Sequence, residues 1–150
     1  MRKTVLCILM IAASAAYFQS KAQDYTESDK IRGTWLNEDG KAKVYVFRGT
    51  DGKYYGKIVW LKEPLEDGKP KVDDENPDPA KKDTPLINLM ILKGFRYKGE
   101  SVYKEGTIYD PDNGKTYNCI MTLSSANKLD IRGYIGISLI GRTSYWTRSE

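Results

Sequence analysis

From Ile31 onward, apolar and polar residues alternate with a period of two, in short segments divided by turn residues. Strands place successive side chains on opposite faces, so this period belongs to strands with one buried face. Short segments and close turn signals then require an antiparallel arrangement. The expected strands begin with Ile31–Asn37, closed by Glu38-Asp39-Gly40, and Ala42–Arg48, with Val44 and Val46 on one face and Tyr45 and Phe47 on the other. Asp51-Gly52 signals a hairpin into Tyr54–Leu61, where Gly56, Ile58 and Trp60 are expected to share a face. Further strands are expected at Leu86–Lys98 (bent near Asn88), Ser101–Tyr109, Thr116–Leu123, Leu129–Ile135 and Ser138–Arg148. Asp110-Pro111-Asp112-Asn113-Gly114 is the strongest turn signal in the chain.

The connection Lys62–Pro85 breaks the pattern. It holds five of the six prolines and many charges, which excludes a central strand. Within it, Asp78 and Pro79 have the N-cap and first-residue chemistry of one helical turn.

About eight strands joined mostly by short turns predict an all-β fold. The expected form is a single antiparallel, up-and-down barrel, because closure removes the exposed sheet edges. A two-sheet sandwich shares the alternation and is the competing architecture. Gly56, Gly106 and Gly133 are expected to let strands bend at barrel corners.

The first residues read as an address. Met1-Arg2-Lys3 is basic, Thr4–Phe18 is apolar and uncharged, and Ser20 and Ala22 put small residues at the −3 and −1 positions of a cleavage site before Gln23. Residues 1–22 are therefore expected to be a signal peptide and 23–150 the domain, exported to the periplasm or secreted. The alternative is an N-terminal anchor, but an apolar run of about 15 residues falls short of the roughly 20 that span a bilayer. Lipid attachment at Cys7 is disfavoured because bulky Leu6 precedes it.

Without those 22 residues, 128 remain. Lys and Arg fall from 24 to 21 against 20 acidic residues, and the formal charge falls from +4 to +1. That leaves no field to steer the domain to nucleic acid, and no transmembrane segment is expected in the mature chain. Cys119 is the one cysteine left, so no internal disulfide forms, and its neighbours make it a buried small hydrophobe. The chain has no histidine. This removes Ser–His and Cys–His catalysis and the usual base near neutral pH. There is no phosphate loop and no G-x-S-x-G. The expectation is a non-enzymatic protein without cofactor or metal.

Gly33-Thr34-Trp35 resembles the G-x-W that opens the first strand of lipocalin-like barrels. That resemblance implies that Trp35 closes one barrel end, with an Arg from the last strand, Arg148 or else Arg142, over its ring. A cation over an indole face is favourable. A second resemblance covers nearly all of the expected mature chain. The stretches Gly33-Thr34-Trp35, Asp51–Ile58, Asp74–Pro79, Gly106–Pro111, Asn113–Tyr117, Arg132–Gly136, Gly141–Thr143 and Trp146–Arg148 are similar to the DUF2147 family of exported bacterial proteins. The family implies export and a compact β domain, and it assigns no reaction. Where members tend to carry Arg after the Asn-Pro-Asp-Pro stretch, this chain has Lys81-Lys82. Lysine does not replace a planar guanidinium in bidentate anion contacts.

Three stretches could carry chemistry. The acidic run Asp73–Asp78 offers oxygen ligands for Ca²⁺, but Pro79 and Pro85 stand where an EF-hand needs Gly and Glu, which favours a solvated loop with a helix cap. Arg132, Arg142 and Arg148 could meet an anion, or pair across strands on the outer face. Tyr54, Trp60, Tyr109, Tyr117 and Trp146 suit a barrel mouth that stacks on flat ligands, or a filled core. The leading expectation is a binding module for a small apolar or amphipathic molecule. One alternative is an envelope interaction domain with a filled barrel and an apolar patch in the 62–85 loop. The other is a hydrolase using paired carboxylates. Oligomeric state is not legible.

Overall fold

The computed structural model describes residues Glu27–Glu150. The expected signal peptide lies outside the described residues. The chain divides into two units, residues 1–30 and 31–150, and the second holds the fold.

That unit is a closed eight-stranded antiparallel barrel. Its strands are β1 (Gly33–Leu36), β2 (Ala42–Arg48), β3 (Tyr54–Leu61), β6 (Met90–Tyr97), β7 (Val102–Asp110), β8 (Lys115–Ser125), β9 (Lys128–Tyr134) and β10 (Gly141–Ser149). Each pairs with the next in sequence, and β10 closes on β1 through Thr34↔Ser149 and Trp35↔Arg148. The up-and-down order follows from the short hairpins. The 62–85 connection adds a separate two-stranded ribbon, β4 (Leu65–Glu66) and β5 (Lys69–Pro70), and one 3₁₀ turn, Pro79–Lys81. Asp78 caps that turn by accepting from Ala80 N at 3.1 Å. Among the described residues, no helix is long and apolar enough to cross a membrane.

Three strands start two or more residues later than the pattern suggests; β1 begins at Gly33, since Ile31 closes a 3₁₀ turn. β6 begins at Met90 because Asn88 takes a left-handed φ of 71°. β10 begins at Gly141, and residues 135–140 form a loop although their Ile-rich sequence reads as strand. The ladder stops at Tyr134↔Gly141, and Gly136 turns the chain at a φ of 73°.

Two of the three interior glycines adjoin bends: register shifts fall at Gly56 and next to Gly106, while Gly133 pairs in register with both neighbours. The extra residues of the bulges lie elsewhere. One sits on β3 at Val59, one on β6 where Gly94 has a φ of 77°, and one on β7 where Glu105 has a φ of 67°. A bulge adds one residue and sharpens the local bend. Gly56 and Gly106 make room: a Cβ on Gly56 would lie 2.7 Å from Leu92 Cδ1, and one on Gly106 would strike the Phe95 ring.

The core fills one end of the barrel. Val46, Tyr54, Phe95, Tyr103, Met121 and Leu129 are fully buried there. Tyr54 and Tyr103 meet edge to face at 5.1 Å. Trp35 seals the end. Its Nε1 donates to Ile31 O at 2.9 Å, and Arg148 Cζ lies 4.2 Å from its ring. The same guanidinium donates to Ala126 O at 2.7 Å and Arg32 O at 2.9 Å. Gly33, with a φ of 129°, leaves space for it, since a Cβ there would stand 2.8 Å from Arg148 Nη1.

Candidate functional site

At the other end the barrel is hollow. A cavity of about 1080 Å³ opens between the β1–β2, β3–β6, β7–β8 and β9–β10 connections. Its deep wall is apolar, formed by Val44, Ile58, Ile91, Ile108 and Ile131, with Gly133 recessed between them. Tyr109, Tyr117 and Trp146 line it, and polar groups sit near its mouth, including Asn37, Lys41, Lys62 and Arg142. Volume and lining match the usual build of a small-molecule site, an apolar chamber with a few polar groups.

Strand periodicity delivers these side chains. On β8, Tyr117, Cys119, Met121 and Leu123 share the inner face, with Tyr117 nearest the mouth. On β10, Ser144 and Trp146 point inward, and Trp146 Nε1 donates to Ser144 Oγ at 3.1 Å. The indole N–H thereby finds a partner inside an apolar wall.

Tyr109 joins the cavity to the 62–85 connection. Its hydroxyl donates to Asp73 Oδ1 at 2.7 Å, while Asn76 Nδ2 donates to Asp73 Oδ2 at 2.6 Å. Asp73 is completely buried. A buried carboxylate needs such donors. Burial first, and the Asp73 carboxylate second, push the Tyr109 hydroxyl up to about 12. Asp73 is thus a clamp for the strap: both of its oxygens serve protein donors. Among the described residues, no group of three or more acidic, cysteine or histidine side chains is arranged to hold a metal ion.

The structure separates the residues singled out from sequence. Tyr109, Tyr117, Arg142 and Trp146 lie on the cavity wall. Tyr54 does not: it is buried in the filled end, with Arg48 Cζ 5.9 Å from its ring. Trp60 points outward, 40 % exposed, with Lys43 Nζ 5.5 Å from its ring. The bulge at Val59 reverses the alternation, so Leu61 takes the inward place. Arg132 also points out of the chamber and holds the β9–β10 loop. Gly33, Trp35 and Arg148 lie at the sealed end.

Sequence reasoning missed Ser144, Tyr134 and the clamp role of Asp73. The first could have been found from its spacing of two from Trp146. The last has no sequence signal, because its partner Tyr109 is 36 residues away. The exposed apolar patch is also elsewhere than expected: residues 135–140 form it rather than the 62–85 loop. Cys119 is fully buried, and burial pushes its thiol up to about 12, far from thiolate chemistry at neutral pH.

Residues 33–148 match the family described as an uncharacterized protein conserved in bacteria, DUF2147. The chain belongs to the DUF2147 family. No curated protein matches it. Among solved structures, this DUF2147 chain is similar to protein HP1028 from the human pathogen Helicobacter pylori, which is described as belonging to the lipocalin family. The two are 22 % identical over 80 % of this chain and 83 % of that one, with a TM-score of 0.71. A redesigned β barrel is also similar, at 16 % identity over 82 % of this chain and 94 % of that chain, with a TM-score of 0.43. The first likeness supports a lipocalin-like fold for this DUF2147 barrel.

Proposed function

We propose that this protein is an exported, non-enzymatic carrier or receptor for one small apolar or amphipathic molecule, held in the open end of the barrel. The observation that carries the reading is the half-filled interior. Close packing is the norm for protein cores, yet this barrel keeps a chamber of about 1080 Å³ behind a ring of aromatic and polar side chains. Apolar walls would take the hydrophobic body of the ligand, and Tyr109, Tyr117 and the mouth residues would face its polar end. The lipocalin-like fold adds support by analogy. The signal-peptide layout of residues 1–22 supports export. Three of the five mouth carboxylates are tied into their loops: Asp39 pairs with Lys41 at 3.4 Å, Glu63 with Lys71 at 3.9 Å, and Asp110 accepts from Asp112 N and Asn113 Nδ2. That favours binding over carboxylate catalysis.

Titration with a neutral solvatochromic dye such as Nile red tests the reading. A saturable, one-to-one rise in fluorescence is expected. Gly133→Leu is the matched variant, because a Cβ at Gly133 meets only ordinary contacts at 3.6 Å and 3.7 Å and the residue lines the cavity. It should weaken dye binding roughly tenfold or more, as side-chain volume displaces ligand, with little change in stability. Unchanged affinity in Gly133→Leu, or no saturable binding by the native protein, would overturn the proposal.

A further inference from the structure

The six residues joining β9 to β10 are Ile135-Gly136-Ile137-Ser138-Leu139-Ile140. Their four large side chains stand in solvent, with Ile135 70 %, Ile137 60 %, Leu139 85 % and Ile140 68 % exposed. Contiguous apolar exposure of this kind marks an interaction site. The loop is held in that posture. Arg132 Nε donates to Ser138 O at 2.8 Å, Nη2 to Leu139 O at 3.3 Å and Nη1 to Thr143 Oγ1 at 3.1 Å. Ile140 N donates to Ile137 O at 3.1 Å. Three of the loop's backbone carbonyls, those of Ile137, Ser138 and Leu139, are therefore already partnered, which lowers their resistance to an apolar medium.

We propose that this loop docks the protein on an anionic lipid surface, with Ile137 and Leu139 entering first. Charge is the first reason. Arg132 and Arg142 bracket the tip, and the segment from Ile131 to Thr143 has no carboxylate. Cations beside a short apolar tip are what a negatively charged leaflet attracts. The acidic rim residues Glu38, Asp39, Glu63, Asp110 and Asp112 belong to other loops, where Lys41, Lys62 and Lys71 stand among them, so the net positive charge is local to the tip. Area is the second reason. A standard protein interface buries roughly 800 Å² per partner, more than one six-residue tip offers, whereas interfacial insertion needs only a few apolar side chains. Ile135 and Ile140 also line the cavity. Docking would set the chamber's mouth against the acyl region, so that an apolar ligand could enter without crossing water. That consequence rests on the proposed carrier function; the docking itself does not.

Hydrogen exchange on the full chain, with and without phosphatidylcholine vesicles containing phosphatidylglycerol, tests the inference. Reading residues 135–139 alone keeps the apolar run Thr4–Phe18 out of the signal. Exchange there should slow about tenfold with vesicles, as expected for a buried interfacial segment. The slowing should vanish in the double variant Ile137→Asp, Leu139→Asp and persist in Leu139→Trp. All of these sites are exposed, so thermal midpoints should match the native one. Unchanged exchange with vesicles, or slowing that survives the double substitution, would overturn docking. Slowing that appears without lipid as protein concentration rises would assign the tip to a second copy and overturn it as well. Equal slowing on pure phosphatidylcholine would remove the requirement for anionic lipid. Nile red binding reports the cavity separately, so failure of one proposal is distinguishable from failure of the other.

Discussion

Tyr109 does two jobs. Its ring lines the chamber, and its hydroxyl satisfies a buried carboxylate on the strap. Tyr109→Phe keeps the ring and leaves Asp73 Oδ1 without its donor. A cost of about 1–3 kcal/mol is expected, the usual penalty for an unpaired buried polar group, measurable by urea unfolding. The native protein should also show an alkaline signature. The folded pKa of this tyrosine is raised to about 12, while its ordinary value is 10.0. The folded state thus holds a proton that the unfolded chain releases. The associated stability is full below pH 10 and declines as pH rises from about 10 to about 12. Tyr109→Phe should flatten that decline, as seen in unfolding midpoints across the window. The residue was legible as a candidate from its strand and type. Its attachment to Asp73 was not, because a contact between positions 36 apart is set by how the strap returns to the barrel.

At the scale of elements, the strap spanning 62–85 is fastened in two places. Asp73 anchors it to β7, and Gly114 lets it approach the β7–β8 turn. Gly114 has a φ of 68°, and a Cβ there would run into Glu75 O. Gly114→Ala therefore combines backbone strain with a backbone clash. The expected loss is about 1–3 kcal/mol, with faster proteolysis inside 62–85 as the direct readout. Turn chemistry announced the β7–β8 turn, and proline content announced the strap. Bulges are harder to read. Val59 carries no turn signal, yet the extra residue moves Trp60 outside and Leu61 inside. Alternation alone put Trp60 in the chamber, because a period of two has no memory of an inserted residue. The Ile-rich loop 135–140 misleads for a related reason. Its composition favours strand, but the ladder beside it ends at Tyr134↔Gly141.

For the whole molecule, closure depends on the β1–β10 seam, which carries Trp35 and Arg148 side by side. Trp35→Ala should cost about 3–5 kcal/mol, as for other buried large-to-small changes. Arg148→Lys should be milder in stability, since it keeps a charge near the ring but loses the fork that reaches Ala126 O and Arg32 O together. Thermal unfolding of both variants checks the ranking: an Arg148→Lys loss equal to that of Trp35→Ala would assign the seal to the guanidinium rather than to indole burial. The molecule is asymmetric along its axis. One end is packed around Tyr54, Tyr103 and Phe95, and the other holds the chamber.

The sequence by itself determined the all-β class, the consecutive strand order and most of the turns. These follow from a two-residue period, glycine and proline placement, and the need of an antiparallel sheet to hide its edges, all of which are local or topological. Tertiary structure alone decided which inward-facing residues pack against one another and which surround empty space. It also fixed the partner of Asp73 and the exposure of residues 135–140. Those outcomes depend on bulge positions and on distances between residues far apart in the chain, to which alternation along a single strand is blind.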